Sequence, residues 1–304
     1  MIKHLKNTEI NFIRWDNCIN KAINGNVFAY SWYLNILCDN WEALVMGDYQ
    51  YVMPLLRKVK FKKDIFFHSK LGNRLGVFSN QLLTEEIVKK FIESVPHERS
   101  LIHISLNSFN KLNSGNVKNI NTYELDLIQS HKKISQKYSN QFQKDLQKAK
   151  EDNISVVQGL LPNDLINFSN IYSVRSNPKL NLDEIQKLRM IIAHSLRFGL
   201  SETYCAYSAN NNLCAAAFFI KSKRNIYLLY AAISNIGLNS NAFHLLIDKY
   251  IEVHSEKDLT LTLDNIISKN NMDFFSAVGA HEYKFQQYYS NSLSWIYNLL
   301  LKNS

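Results

Sequence analysis

The sequence contains little cysteine, proline or glycine: 4, 4 and 9 residues of 304. So few prolines and glycines argue against long disordered linkers, which are rich in these residues. The cysteines form no CxxC pair and no metal-ligand spacing with histidine, which argues against a zinc site and against a disulfide scaffold. We expect Cys18, Cys38, Cys205 and Cys214 to be buried, reduced residues of a cytoplasmic protein.

Long apolar runs and several well-known catalytic signatures are also missing. No stretch approaches the roughly 20 apolar residues that a membrane helix needs, and the opening residues MIKHLKNTEINFIRWD lack the apolar segment of a signal peptide. The sequence has no GxSxG, and its nine histidines form no HxxxH or HExxH pattern. Serine hydrolase and zinc-enzyme functions therefore have no support.

The composition is that of an ordinary globular protein, with 46% hydrophobic and 20% charged residues, 16 Tyr and 17 Phe. The length is sufficient for two domains. The net charge of +9 suits phosphorylated partners such as nucleotides, CoA, tRNA or an acidic membrane. An Asn- and Lys-rich genome would produce the same charge, and we favour that simpler explanation.

The order of predicted secondary structure occurs twice, which indicates a tandem repeat. In each copy the first strand begins 86 positions before the last strand ends, since 127 − 41 and 289 − 203 are equal. The later copy is predicted to contain strands 203–208, 213–221, 226–232, 259–264 and 282–289 and helices 240–254 and 269–278. The earlier copy is predicted to contain strands 41–45, 51–59, 66–68, 101–105 and 123–127 and helix 84–94. We predict two domains, residues 1–128 and 129–304.

The segment after the third strand of the later copy is a candidate binding loop. It leads from a buried strand into a helix, and the free N–H groups of a helix N-terminus suit a phosphate or a carboxylate. An ordinary connection, in which Ser and Asn cap the helix, explains the same pattern equally well. A single glycine in this loop excludes a P-loop or dinucleotide fingerprint. The candidate binding residues are Tyr230, Ser234, Gly237, Asn239, Ser240 and Asn241.

Two further groups complete the predicted site. Asp264 ends the alternating strand that begins at Leu259, so it is a candidate proton acceptor for an amine, although acids at strand ends frequently cap the next turn. Lys144 and Lys148, with Lys150 nearby, can steer an anionic substrate. A solvated helix face is the more usual explanation for such lysines.

Several local patterns resemble the Fem-type (FemABX-like) branch of the GNAT acyltransferases. Residues 139–149, SNQFQKDLQKA, are similar to the Ser-x-x-x-Arg/Lys-x-x-x-Arg/Lys-Ala helix of those proteins, and residues 242–248 are similar to their post-loop helix. Asp264 followed by residues 273–280, DFFSAVGA, resembles their "Asp … Phe-Tyr-x-x-Phe-Gly-Ala" ending. Residues 28–34 and 75–78 resemble segments of related bacterial proteins.

The resemblance implies an α/β fold with two tandem GNAT-like domains, whose mixed, mostly antiparallel sheets are flanked by helices. It implies transfer of an acyl or aminoacyl group to a small-molecule or peptide amine. No cofactor is expected, and acyl-CoA or aminoacyl-tRNA would be the donor substrate. The pyrophosphate loop Gln/Arg-x-x-Gly-x-Gly/Ala is not matched at residues 234–242, so we expect weak binding of acetyl-CoA. The alternative is a catalytically silent GNAT-like module that binds a nucleotide-linked metabolite or a nucleic acid.

Overall fold

A computed structural model describes residues 1–60, 62–98, 100–172, 179–263 and 274–293. The chain forms two compact units, Met1–Asn121 together with the segment that starts at Lys284, and Thr122–Tyr283. Among the described residues, no helix combines the length and the apolar composition that crossing a bilayer requires. Cys18, Cys205 and Cys214 are buried, and burial raises the pKa of the Cys18 thiol to about 11.

The first unit contains helices packed on antiparallel and mixed strands. Its helices are α1 (Phe12–Lys21), α2 (Ser31–Leu37) and α3 (Glu85–Glu93). Its strands are β1 (Ile2–Leu5), β2 (Glu42–Met46), β3 (Tyr51–Leu55), β4 (Arg57–Lys60), β5 (Lys63–Phe66), β6 (Phe78–Ser79) and β7 (Ser100–Ser105). The strand order is β1-β2-β3-β6 in one sheet, and β4, β5 and β7 are neighbours in another. The core joins α3 to both groups of strands through Met53, Phe66, Phe91 and Ile102.

The single strand predicted for residues 51–59 is two strands in different sheets. β3 pairs with β2 and β4 pairs with β5, and Leu56 lies between them. The carbonyl of Leu56 accepts a hydrogen bond from the N–H of Phe67 at 3.0 Å, outside both ladders. The two strands also differ in burial, since β3 is buried beyond Tyr51, whereas β4, with the sequence RKVK, is partly or fully exposed. Strand propensity alone predicted one strand because it does not report a change of partner.

The second unit is built around a meander. Strand β8 (Val117–Asp126) enters it and is followed by α4 (His131–Ser135), α5 (Asn140–Glu151), β9 (Ser155–Gln158), α6 (Pro162–Ile171) and α7 (Leu182–Arg197). Then come β10 (Ser201–Tyr207), β11 (Leu213–Ser222), β12 (Asn225–Ile233), α8 (Asn235–Asn239), α9 (Ala242–His254) and β13 (Thr260–Thr262). The sheet order is β8-β13-β12-β11-β10-β9, with only β12 and β13 parallel among these described neighbours.

The central part of this unit confirms the sequence prediction. Strands β11 and β12 are buried almost throughout, as their continuous apolar runs predict. The apolar face predicted for α9 is buried, and so is the stripe of Phe142, Leu146 and Ala149 on α5. Both helices pack on one face of the sheet, where Phe219 and Leu228 complete the core. The predicted mixed α/β fold class is therefore confirmed, whereas duplication of one domain stays a prediction.

The last strand of each predicted copy pairs with a strand of the other copy. The strand predicted to close the first copy is part of β8, and Asp126 of β8 pairs with Thr260 of β13 in the second unit. The strand predicted to close the second copy is part of β14 (His281–Asn291), and Gln287 of β14 pairs with Ser105 of β7 in the first unit. The compact units consequently divide at 121/122 and 283/284 rather than once at 128/129. Alternation within a strand specifies its buried face but not its partner.

Candidate functional site

The loop predicted as the binding segment is largely a short helix. Strand β12 passes through Ser234 into α8, and the Ser234 hydroxyl accepts a hydrogen bond from the N–H of Gly237 at 3.1 Å. A Cβ atom on Gly237 would lie 2.1 Å from the carbonyl oxygen of Cys214. Glycine is therefore required here because α8 packs directly on the backbone of β11, and the structure gives Gly237 a packing role and Ser234 a capping role.

The N–H groups expected to face an anion are already used by the chain. The N–H of Ser240 donates to the carbonyl of Ile236 at 3.0 Å, and that of Asn241 donates to the carbonyl of Leu238 at 3.4 Å. Helix α9 begins only at Ala242, after Asn241, whose φ is +53°. The predicted helix N-terminus is therefore a helix–helix corner, which sequence reasoning missed because a five-residue helix leaves no periodic pattern.

Three predicted residues line one surface cavity, which we call the Asn239 cavity. Its volume is about 420 Å³, and Lys148, Asn239 and Ser240 line it together with Asp152, Ile154, Ser208, Ala209, Asn210 and Ile236. Among the described residues, Lys148 and Asp152 have no ion-pair partner, so the cavity presents one unpaired charge of each sign. Lys144 is exposed one turn earlier on α5 and does not line this cavity.

Tyr230 lies apart from these groups. Its neighbour Ala231 belongs to the core beneath α9. Because successive side chains of a strand point to opposite faces of the sheet, the Tyr230 side chain lies on the face away from α9. It is buried and pairs with Phe218 of β11. The structure therefore does not place the Tyr230 side chain with Lys148 and Asn239.

The edge of β12 that carries Tyr230 has a distinct property. On the side of β13, the pairing of β12 extends only from Asn225 to Tyr227, and no described strand pairs with the rest of that edge. The N–H of Ser234 donates to the carbonyl of Cys214 in the segment before β11. In an antiparallel pair, every second residue directs its backbone N–H and C=O toward the partner strand, so the backbone groups of Ala232 and Tyr230 also face β11. The backbone groups of Ala231 and Ile233 consequently point to the unpaired side.

Asp264, the predicted proton acceptor, lies outside the described residues. The last described residue before it is Leu263, which follows β13 and whose N–H donates to the carbonyl of Tyr123 at 3.0 Å. The position of the Asp264 carboxylate therefore stays a prediction.

Sequence reasoning missed a polar contact between the two helices that flank this region. Asp145 of α5 accepts hydrogen bonds from the side chains of Gln141 at 3.0 Å and Asn241 at 3.1 Å, and it lies 3.5 Å from His244 Nε2. The His244 ring packs between Phe142 and Phe274, and its burial lowers the pKa of the imidazole. Asp145 and His244 both fall in the segments that resemble Fem-type proteins, but their separation in the chain concealed the contact.

Comparison with known proteins supports the fold. The sequence matches no family model and no curated protein. Its structure is similar to that of FemX, with a TM-score of 0.64 and 14% identity over 98% of this chain and 99% of that chain. A conserved protein from Bacteroides thetaiotaomicron has a TM-score of 0.57 at 10% identity, covering 95% of this chain and 100% of that one. L-PGS from Bacillus licheniformis has a TM-score of 0.51 at 9% identity, covering 88% and 90%. The chain has a FemABX-like, GNAT-type fold along nearly its whole length, and the predicted resemblance is confirmed at the level of the fold.

Proposed function

We propose that this protein transfers an acyl or aminoacyl group from a donor to an amine acceptor. The observation that carries the proposal is the edge of β12 beyond Tyr227, which no described strand covers. An extended amide-bearing donor can bind such an edge as an additional strand, through backbone hydrogen bonds. The chain that carries this edge has a fold similar to that of FemX, and this analogy at the level of the fold adds support for the same class of reaction.

The backbone of this edge has a chemical use in acyl transfer. The N–H of Ala231 or Ile233 would donate to the carbonyl oxygen of the donor, where negative charge develops as the amine attacks. The amine nitrogen forms a bond to the carbonyl carbon, and the bond from that carbon to the oxygen of a tRNA ester or the sulfur of a CoA thioester breaks. Asp264 would accept the proton that the attacking amine loses, and the leaving oxygen or sulfur would be protonated in turn.

The hydrogen bonds around α8 restrict which class of donor substrate can bind there. Acyl-CoA needs N–H groups that approach a pyrophosphate closely, but the N–H of Gly237 is bonded to Ser234 and those of Ser240 and Asn241 to carbonyls of the same turn. These contacts favour a donor other than acyl-CoA, such as aminoacyl-tRNA, whose phosphates Lys144 and Lys148 would attract. The same contacts are also compatible with the alternative function, a catalytically silent module that binds a nucleotide-linked metabolite or a nucleic acid.

Ligand-dependent thermal unfolding tests the donor. A ligand of the native state raises the melting temperature by mass action, so acetyl-CoA, an aminoacyl-tRNA and UDP-linked sugars would each be titrated against the full chain. We expect a shift with aminoacyl-tRNA and little or none with acetyl-CoA. Micromolar acetyl-CoA affinity would contradict this and indicate a conventional acetyltransferase. A shift with UDP-linked sugars alone, without turnover of any donor, would favour the binding module.

Substitution of Asp264 tests the reaction. Once the donor is identified, Asp264→Asn should lower turnover about 10²-fold or more, which is the usual contribution of a general base. The variant should still fold. Asp258→Asn is a matched control, because Asp258 precedes β13, is exposed and pairs only with Arg224 among the described residues. Equal and near-native turnover in both variants would mean that Asp264 only caps a turn.

A further inference from the structure

The Asn239 cavity is lined by polar side chains that make no contact with one another. Four of them, from α5, α8 and the turn between β10 and β11, form no side-chain hydrogen bond or ion pair within the part of the chain that the structure describes: Lys148, Asp152, Asn210 and Asn239. The cavity volume of about 420 Å³ lies within the range of small-molecule sites, about 300–1,000 Å³. The cavity therefore offers one ammonium, one carboxylate and two amides to a ligand.

The two charges of the cavity are neighbours on α5 but do not form an ion pair. Lys148 and Asp152 are four positions apart, a spacing that places the Cβ atoms of a helix about 5–6 Å from each other. Other pairs with this spacing do form ion pairs here, as Lys187 does with Asp183 at 2.8 Å. In that pair the acid precedes the base, which is the more favourable order, whereas Lys148 precedes Asp152. The cavity thus presents two adjacent, opposite charges, each without a partner among the described residues.

The position of Asp152 favours a cationic group of a ligand. Asp152 is the C-cap of α5, and its N–H donates to the carbonyl of Lys148 at 2.9 Å. The C-terminal end of a helix carries a partial negative charge, so it disfavours a carboxylate and stabilises a cation. An ammonium group beside Asp152 would be stabilised by the carboxylate and by the helix end together. The Lys148 side chain, one turn earlier, would then meet an anionic group of the same ligand.

The apolar part of the lining suits an apolar substituent. Ile154 is buried, whereas the Ile236 side chain on α8 is 46% exposed, and both line the cavity. A ligand side chain that covered Ile236 would remove apolar surface from water. The amides of Asn210 and Asn239 each carry a donor and an acceptor, so they can bind either end of a small zwitterion.

We propose that the Asn239 cavity binds a free α-amino acid with an apolar side chain, its ammonium group on Asp152 and its carboxylate on Lys148. A ligand with one charge of each sign gives both cavity charges a partner, whereas a simple anion or cation would leave one of them unpaired.

This site is separate from the edge assigned to acyl transfer. The unpaired edge of β12 faces the side of β13, whereas the cavity is formed by α5, α8 and the turn that joins β10 to β11. The proposal therefore does not depend on acyl transfer. Lys148 is shared with the proposed attraction of tRNA phosphates, so the test uses the free amino acid without any donor.

Calorimetric titration of the full-length protein with L-leucine and two analogues tests the site. Isocaproate is leucine without its amine, and isoamylamine is leucine without its carboxylate. We expect saturable binding of leucine and binding of each analogue that is weaker by about tenfold or more, because a hydrogen bond to a charged group contributes at least about that factor.

Two variants assign the ends of the ligand. Lys148→Met should weaken leucine binding by about tenfold or more but leave the affinity for isoamylamine unchanged, since that analogue has no carboxylate. Asp152→Asn should weaken leucine binding to a similar extent and leave the affinity for isocaproate unchanged. Lys144→Met is the matched control, because Lys144 is exposed on the same helix and does not line the cavity, so leucine affinity should be retained.

Three results would overturn the proposal. They are the absence of saturable leucine binding, an analogue that binds as tightly as leucine, and an equal loss of leucine affinity in Lys144→Met and Lys148→Met. Because no acyl donor is present in these titrations, their failure would leave the proposed transfer reaction untouched.

Discussion

Helix α9 takes part in two carboxylate–histidine pairs whose surroundings differ. Near its middle it supplies Asp248 to His131 at 2.8 Å, and at its end it supplies His254 to Glu202 of β10 at 3.0 Å. The side chain of His131 is 28% exposed and that of His254 only 3%. The same chemical pair can therefore line a surface cavity or support the core, depending on which face of the helix carries it.

The enclosed pair is held from several sides. His254 Nδ1 lies 2.9 Å from the carbonyl oxygen of Tyr250, and Nε2 lies 3.0 Å from Glu202, so each ring nitrogen meets an acceptor. The ring stacks on Tyr250, which stacks in turn on Phe219 with ring centroids 3.6 Å apart. Lys221 contacts the other oxygen of Glu202. Such an arrangement leaves no role for a ligand and indicates a structural function.

The largest difference between the two pairs should appear when each histidine is removed. We expect His254→Ala to lower the free energy of unfolding by about 3 kcal/mol, because it removes a buried ring that stacks on Tyr250 and contacts Glu202, although Glu202 keeps its contact with Lys221. His131→Ala should cost about 1 kcal/mol, since His131 is partly exposed and Asp248 keeps its hydrogen bond from Tyr138. Urea unfolding of both variants measures the difference. Equal losses would show that exposure does not separate the two pairs.

The sequence predicted the middle of the second unit well because its signals are local. The continuous apolar runs CAAAFFI and IYLLYAAI are typical of central strands that are buried on both faces of a sheet. The apolar spacing of α9 identifies the helix face that packs on these strands. Strand partners are not local. Nothing in residues 123–127 or 282–289 shows that the first belongs beside β13 and the second beside β7.

The candidate site was predicted less completely for the same reason. The sequence analysis named Lys150 beside Lys144 and Lys148 as cations for an anionic substrate, but the structure places Lys148 and Lys150 at different cavities. The polar pairs join distant positions: Asp248 is 117 positions from His131, a separation that no motif encodes. Gly237 was predicted as a binding residue, but the close neighbour that the structure shows at this position is the Cys214 carbonyl.

A smaller but more specific effect is expected in the pH dependence of stability. Burial alone would raise the pKa of Glu202, but its contacts with His254 and Lys221 outweigh burial and lower the pKa from 4.5 to about 2. A carboxylate whose pKa is lower in the folded protein stabilises it above the unfolded pKa. That stabilisation is lost as the pH falls from about 4.5 to about 2. For Glu202 the shift corresponds to at most about 3 kcal/mol at 1.36 kcal/mol per pKa unit, and solvent screening of this partly exposed carboxylate reduces that amount.

Urea unfolding of the wild type and Glu202→Gln at pH 6, 4 and 3 isolates this contribution. The stability difference between the two proteins should be largest at pH 6 and should shrink steadily toward pH 3, because only the wild type loses an ionised group. Glu86→Gln is the control: Glu86 is exposed and its pKa is lowered by the hydrogen bond from Lys90, so solvent screening should leave a much shallower dependence. A Glu202→Gln difference that is constant from pH 6 to pH 3 would mean that Glu202 is not held ionised by His254 and Lys221. The structural role of the enclosed pair would then rest on packing alone.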